Sequence, residues 1–266
     1  MPQLVFKREE IKYRLTSGQR HRLEAVMARH MVPDEHGATT VRNVYYDTPS
    51  HVLIRRSMEH PRYKEKIRLR SYADASVNTP VFVELKKKVD GVVYKRRTVL
   101  PLGDADALLA GIREPHGQIE RELAYSAQRY EGLRPAMYIA YDREAFYARD
   151  DHEFRVTLDT RIRCRWDDVT LAGDTDGRLL IGERDSLMEI KGIGAMPLWM
   201  ADFLAEEHLY KASFSKYGAA WSLQFSTLGR PALGRQRERR PAASTVWEAL
   251  GGLRLAPHAR VAPLAS

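Results

Sequence analysis

Three stretches of this chain alternate long charged side chains with apolar ones: Lys66-Ile-Arg68-Leu-Arg70, Glu84-Leu-Lys86-Lys-Lys88 and Arg155-Val-Thr157-Leu-Asp159. A shorter piece repeats the pattern as Glu189-Ile-Lys191. In a strand every second side chain falls on one face, so each stretch carries a charged stripe opposite an apolar one. A single such stripe is what any solvated sheet face shows. Repetition changes the reading, because cations on neighbouring strands stand about 5 Å apart and repel. A polyanion lying against them would offset that repulsion. The sparse carboxylates among them, Glu10, Glu84, Asp159 and Glu189, could hold a divalent cation that bridges phosphates. The chemistry these residues fit is phosphate binding.

The elements that must position them can be read from periodicity and turn residues. Strands are expected at Phe6–Leu15, Val41–Tyr46, Lys64–Tyr72, Pro80–Lys88, Val92–Leu100, Ala136–Arg149, Glu153–Asp167 and Leu187–Lys191. Val89-Asp-Gly91 has hairpin-turn composition. Helices are expected at 17–31, with Gln19 placed for a capping box, and at Asp104–Ile112, Gly117–Tyr130, Pro197–His208 and Ser213–Phe225. Many strands with short turns and a few helices predict an α+β fold. In it an antiparallel barrel would form a tunnel, its lumen basic and wet and its outer faces covered by helices. Arg163 and Arg165 share the parity of Arg155, but a bulge after Asp159 would turn them away.

Composition narrows the classes. Of 266 residues, 44% are hydrophobic and 29% charged, which is ordinary for a globular protein. No run approaches the roughly 18 apolar residues of a membrane span. The N-terminal residues lack a signal-peptide core, so the cytoplasm is the expected compartment. The single cysteine, Cys164, excludes an internal disulfide. His21, His30, His36 and His51 form no metal-ligand spacing, and no Gly-rich phosphate loop is present. The formal charge is +8, and residues 229–266 hold seven Arg and two Glu. The body, 1–228, is thus close to neutral and must concentrate its cations locally to hold a polyanion. Residues 229–266, rich in Arg, Pro and Ala, read as a mobile tail with a weak helical tendency at 245–255.

At this point the residues resemble a known family. Arg8-Glu-Glu10-Ile-Lys12-Tyr13 is similar to the opening strand of the triphosphate tunnel metalloenzymes, the CYTH-like superfamily. More narrowly, the chain resembles the VTC domain, a polyphosphate polymerase domain. The supporting pieces, in the family's order over roughly residues 6–220, are Tyr45-Tyr46-Asp47-Thr48, Lys66 to Tyr72, Glu84 to Lys88, Tyr94-Lys95-Arg96-Arg97, Tyr141-Asp-Arg143, Arg155 to Asp159, Met188-Glu189-Ile-Lys191 and Phe214-Ser215-Lys216-Tyr217. One departure is visible: Ser213 stands where the family's last motif usually opens with a basic residue.

The resemblance implies a tunnel in which ATP or inorganic polyphosphate lies along basic walls. It implies catalytic roles for Lys12, Arg68, Arg70, Arg143, Arg155 and Lys216, and phosphate contacts from Lys86, Lys95, Tyr141, Lys191 and Ser215. Glu189 would bind the metal, Mn2+ or Mg2+, with Glu10 and Glu84 as further ligands. The implied reaction is phosphoryl transfer from ATP onto polyphosphate with release of ADP. A hydrolase with the same walls, or a noncatalytic polyphosphate-binding module, are the alternatives. No specific nucleic acid is expected as a partner, and a membrane-channel partner is left open.

Overall fold

The computed structural model describes residues 9–59, 61–90 and 92–228. The chain separates into units Met1–Gly234 and Arg235–Ser266, and every described residue belongs to the first. The expected tail at 229–266, the helical tendency at 245–255, Gly91 of the hairpin turn and residues 6–8 of the first strand lie outside the described residues.

Alternation sets the strands and apolar stripes set the helices. The order is β1 (Glu9–Leu15), α1 (Ser17–His30), β2 (Met31–Pro33), β3 (Thr39–Asp47), α2 (Val52–Met58), β4 (Tyr63–Ser71), β5 (Pro80–Val89), β6 (Val92–Pro101), α3 (Leu102–Leu109), α4 (Gly117–Gln128), β7 (Arg134–Ala148), β8 (Arg155–Arg165), β9 (Arg178–Leu179), β10 (Ser186–Gly192), α5 (Leu198–Glu206) and α6 (Lys216–Leu228). The capping box forms: Thr16 Oγ1 accepts from Gln19 N at 3.3 Å, and Thr16 N donates to Gln19 Oε1 at 3.0 Å. The β5–β6 hairpin turns between Val89 and Val92, with Asp90 at φ +46°.

The strands form one antiparallel sheet in the order β1-β10-β8-β7-β3-β4-β5-β6, with β2 on β7 and β9 on β8. The expected closed barrel is not closed by hydrogen bonds among the described residues: β1 and β6 are edges that do not pair. A loop segment instead links β1 to β4. Ala212 N donates to Lys12 O of β1 (2.7 Å), Lys12 Nζ donates to Phe214 O (3.3 Å), and Lys66 Nζ of β4 donates to Ser215 Oγ (3.0 Å). These bonds also account for α6 starting at Lys216 rather than at Ser213: the backbone of residue 212 is committed to β1. Lys211 is exposed in this non-helical stretch.

Three apolar clusters hold the unit together. On the convex face, Ile67, Leu69, Val81, Val83 and Leu85 pack with residues of α3 and α4, including Leu108 and Leu123. On the other half, Leu15, Val156, Leu158, Met188 and Ile190 pack with Leu23 and Met27 of α1 and Met200 and Phe203 of α5. The third lies on the concave face, where Tyr45, Met137, Ile139, Ile162, Cys164 and Leu187 pack with Tyr217 and Ala220 of α6. Part of the surface expected to be a wet lumen is therefore apolar and covered by α6.

Two local features fix which side chains face inward. In β8 two residues, Arg161 and Ile162, oppose the single Tyr141 of β7, and Arg161 has φ +43°. This bulge reverses the parity of the strand. Asp159 and Ile162 face inward, while Arg161 and Arg163 pair with Asp142 on the other side. The second feature is α2, which follows the Asp47-Thr-Pro-Ser50 turn and has no sequence signal of its own. The Asp47 carboxylate accepts from the N–H groups of Thr48, Leu53 and Ile54 at 2.8–3.0 Å, and from the Tyr217 hydroxyl at 2.8 Å. One buried carboxylate thus supplies the start of α2 and ties it to α6.

Candidate active site

The concave charged groups fall into two clusters, each built around buried carboxylate. In the first, Glu189 (β10) and Asp159 (β8) are almost fully buried. Lys216, the first residue of α6, places Nζ 2.6 Å from Asp159 Oδ2 and 3.1 Å from Glu189 Oε1. Arg143 of β7 holds Asp159 in a two-pronged contact at 2.6 and 2.7 Å and lies 3.7 Å from Glu189. Lys12 bridges Glu189 (3.4 Å) and Glu10 (3.2 Å), and Lys191 reaches Glu189 at 3.4 Å. The Tyr141 ring lies under both Lys216 and Arg143. Burial alone would raise the Glu189 carboxyl, but Lys216, Lys12, Lys191 and Arg143 hold it well below its ordinary range. Asp159 is lowered the same way against its own burial, by Lys216 and then Arg143.

The second cluster surrounds Glu84 of β5. Arg68 Nε donates to Glu84 Oε2 at 2.6 Å, and Arg70 Nε lies 3.9 Å away. Lys95 and Arg97 of β6 approach Oε1 at 2.8 and 3.0 Å. These last two contacts are close ion pairs whose directions leave Oε1 without a hydrogen bond. Arg70 continues the network, donating to Asn43 Oδ1 (3.1 Å) and Tyr141 OH (3.3 Å). Arg68 donates to Tyr45 OH at 3.1 Å. Burial would raise the Tyr45 phenol, yet Arg68, Lys66 and Arg70 bring it down to about 8. Four cations on one carboxylate leave this cluster strongly positive.

The sheet curls enough for its halves to sense one another. Lys86 of β5 acts on Glu10 of β1, and Lys12 of β1 acts on Lys66 of β4. Ser215 caps α6, its Oγ accepting from Gly218 N at 3.2 Å, which sets Lys216 at the first turn.

Of the residues named from sequence, Lys12, Glu10, Arg143, Lys191, Glu189 and Lys216 meet in the first cluster. Arg68, Arg70, Glu84 and Lys95 meet in the second, and Tyr141 touches both. Lys86 is exposed, with no ion pair within 4 Å among the described residues. Arg155 opens β8 directly opposite Lys191 of β10; it is exposed and donates to His152 O at 3.2 Å. Sequence reasoning assigned no site role to Asn43, Tyr45 or Arg97, and placed Lys66 on a charged stripe without a role of its own. Asn43 and Tyr45 share inward parity on β3, and Arg97 shares that of Lys95, so alternation could have found them. Asp159 was noticed as a carboxylate, while its pairing with Lys216 needed the tertiary contact.

Could these residues hold a metal? Among the described residues no group of three or more His, Cys, Asp or Glu is gathered for one. A cation that takes most of its ligands from phosphate and water needs only one or two carboxylates. Glu189 fits that lesser role: Glu10 stands beside it across Lys12, and the buried hydroxyl of Thr157, directly opposite on β8, has no hydrogen-bond partner. Glu84 fits it less well, being enclosed by cations.

Among the described residues no helix is long and apolar enough to cross a membrane. A comparison with curated proteins finds no match. Among solved structures the chain is similar to a "putative adenylate cyclase" from Vibrio parahaemolyticus, at 15% identity over 80% of this chain and 97% of that one, with a TM-score of 0.45. It is also similar to a "putative adenylate cyclase" from Bacillus halodurans, at 14% identity over 78% and 95%, with a TM-score of 0.49. The model of the VTC domain matches residues 7–225, which take in both clusters and the strands that carry them, and the chain belongs to the VTC domain family.

Proposed function

We propose that the concave face binds ATP and inorganic polyphosphate and transfers the terminal phosphoryl group of ATP onto the chain end, releasing ADP. The observation that carries this reading is the convergence on one face of Lys12, Arg68, Arg70, Lys95, Arg143, Lys191 and Lys216, from β1, β4, β6, β7, β10 and α6, around few carboxylates. Family membership supports it.

The chemistry needs little more than this. Phosphoryl transfer passes through a loose transition state whose charge sits on oxygens, so positioning and neutralisation do most of the work. Arg68, Arg70 and Arg143 present planar forks suited to nonbridging oxygens, while Lys12, Lys191 and Lys216 act as point charges. These groups rest on Glu84, Asp159 and Glu189, which keep them ordered. An incoming phosphate competes for the same N–H groups. Asn43 and Tyr141 hold the Arg70 guanidinium in orientation. The acceptor is already an anion, so no strong general base is required. Mn2+ or Mg2+, held by Glu189 and assisted by Glu10, would neutralise phosphate charge when bound.

Purified protein given ATP, Mn2+ or Mg2+ and a short polyphosphate primer tests the reading. Longer chains on a polyphosphate gel, with matching ADP, are expected. Free phosphate without longer chains would mean that water replaces the polymer as acceptor. Absence of both products would sink the catalytic reading and leave a binding module.

A further inference from the structure

The strand register sets lysines side by side. Lys66 of β4 stands opposite Lys86 of β5, and Lys86 opposite Lys95 of β6, in one row across the ladder. Lys64 opposite Lys88 repeats the arrangement one step along. Like charges directly opposite one another destabilise a sheet, and no apolar packing requires these residues to be cationic. Lys95 is compensated by Glu84. Lys66 is not: it has no carboxylate within 4 Å among the described residues. Its Nζ donates to Ser215 Oγ at 3.0 Å, which leaves donor capacity unused. The groups acting on it are Tyr45 from β3, Lys86 from β5, Lys12 from β1 and Lys64 on its own strand. Ser215 in turn caps the helix that carries Lys216.

We propose that Lys66 is a phosphate-binding residue of the concave site, its ammonium group donating to a nonbridging oxygen and extending Lys86 and Lys95 into a row along a linear polyphosphate. This rests on the phosphoryl-transfer reading and adds to it a contact from a residue to which the resemblance assigns no role of its own. A half-buried lysine among lysines is a repulsive arrangement, and an anion relieves it. Burial, followed by Lys86 and Lys12, brings the Lys66 ammonium down to about 8. The row therefore loses a charge as the pH passes above that value, and affinity for the anion falls with it. Tyr45, brought to about 8 as well, ionises in the same range and acts in the same direction.

The experiment is calorimetric titration of the full chain with inorganic tripolyphosphate, without nucleotide, so that binding is read apart from turnover. At neutral pH, Lys66→Met should weaken binding about tenfold, the scale of one charge-assisted hydrogen bond. Lys66→Arg should keep it. Ligand-free Lys66→Met should melt at or above the wild-type temperature, since it removes a half-buried charge that no carboxylate among the described residues compensates. A lysine of merely structural value would do the opposite, lowering the melting temperature and leaving affinity unchanged. Raising the pH from about 7 to about 9 should weaken binding in wild type and in Tyr45→Phe, and weaken it less in Lys66→Arg. Arg70→Ala serves as the control. If it loses binding while Lys66→Met does not, the Lys66 proposal fails and the site stands. If neither variant loses binding, the site itself is misassigned.

Discussion

The carboxylates of the concave face do different work at different positions, and their surroundings separate them. Among the described residues Glu84 forms its ion pairs with four cations, so we expect Glu84→Gln to loosen Arg68, Arg70, Lys95 and Arg97 together. Tripolyphosphate affinity should fall while the metal concentration giving half-maximal turnover stays put. Glu189→Gln should shift that metal titration instead. An unchanged curve for Glu189→Gln, or a shifted one for Glu84→Gln, would exchange the two roles. Asp159 is buried between Arg143 and Lys216, and its carboxyl is held below its ordinary value of 3.8. A lowered carboxyl contributes stability that is present above the unfolded value and lost as the pH falls. Asp159→Asn leaves two buried cations short of a partner, so it should cost about 3 kcal/mol at neutral pH. Urea melts from neutral to acid should show that gap closing below about pH 4. A gap independent of pH would mean that packing, rather than charge, sets the cost.

At the scale of elements, the placing of Lys216 depends on α6, and α6 is held from both ends of its first turn. Ser215 caps it, and Tyr217 is tied to Asp47, whose carboxylate also serves the start of α2. Tyr217 stacks on Tyr45 as well, with ring centroids 4.7 Å apart. Asp47→Ala removes four acceptor contacts at once and leaves buried N–H groups unpaired. A loss of about 2–4 kcal/mol in chemical denaturation is expected, together with weaker polyphosphate binding from a displaced Lys216. Tyr217→Phe removes only one of those bonds and should cost about 1 kcal/mol. Equal losses from the two variants would show that Asp47 does not organise α2. The bulge at Arg161 belongs to the same scale. It turns Arg163 outward to Asp142 and lets Ile162 and Cys164 join the apolar floor beneath α6.

At the scale of the whole molecule, the formal charge is divided unevenly between the body and residues 229–266. On the proposed reading the body binds through its concave face, whereas residues 229–266 carry a large share of the formal +8. Removing 229–266 should leave tripolyphosphate affinity within about twofold and reduce the salt dependence of binding to long polyphosphate, since exposed charges are screened. Loss of all polyanion binding from a folded, shortened chain would move the site from the sheet to the tail.

What the sequence by itself determined was parity and local punctuation. Alternation put Lys12, Arg68, Arg70, Glu84, Glu189 and Lys191 on charged stripes, and Thr16, Gln19 and Val89-Asp-Gly91 marked a helix start and a hairpin. These follow from side-chain periods and turn chemistry that act over a few residues. Tertiary structure decided the rest. Register chose which cations stand opposite one another, as in the Lys66, Lys86 and Lys95 row. Curvature brought β1 within reach of β4 and β5, and the segment at 212–215, read from sequence as the start of a helix, came to bridge β1 and β4. The bulge in β8 put Asp159 inside and Arg161 out, and register set Arg155 opposite Lys191 while its side chain turned to His152 O. The reason is one of range. A stripe is written in a single strand, but the partner that gives each charge its role lies up to two hundred residues away, as Phe214 does from Lys12.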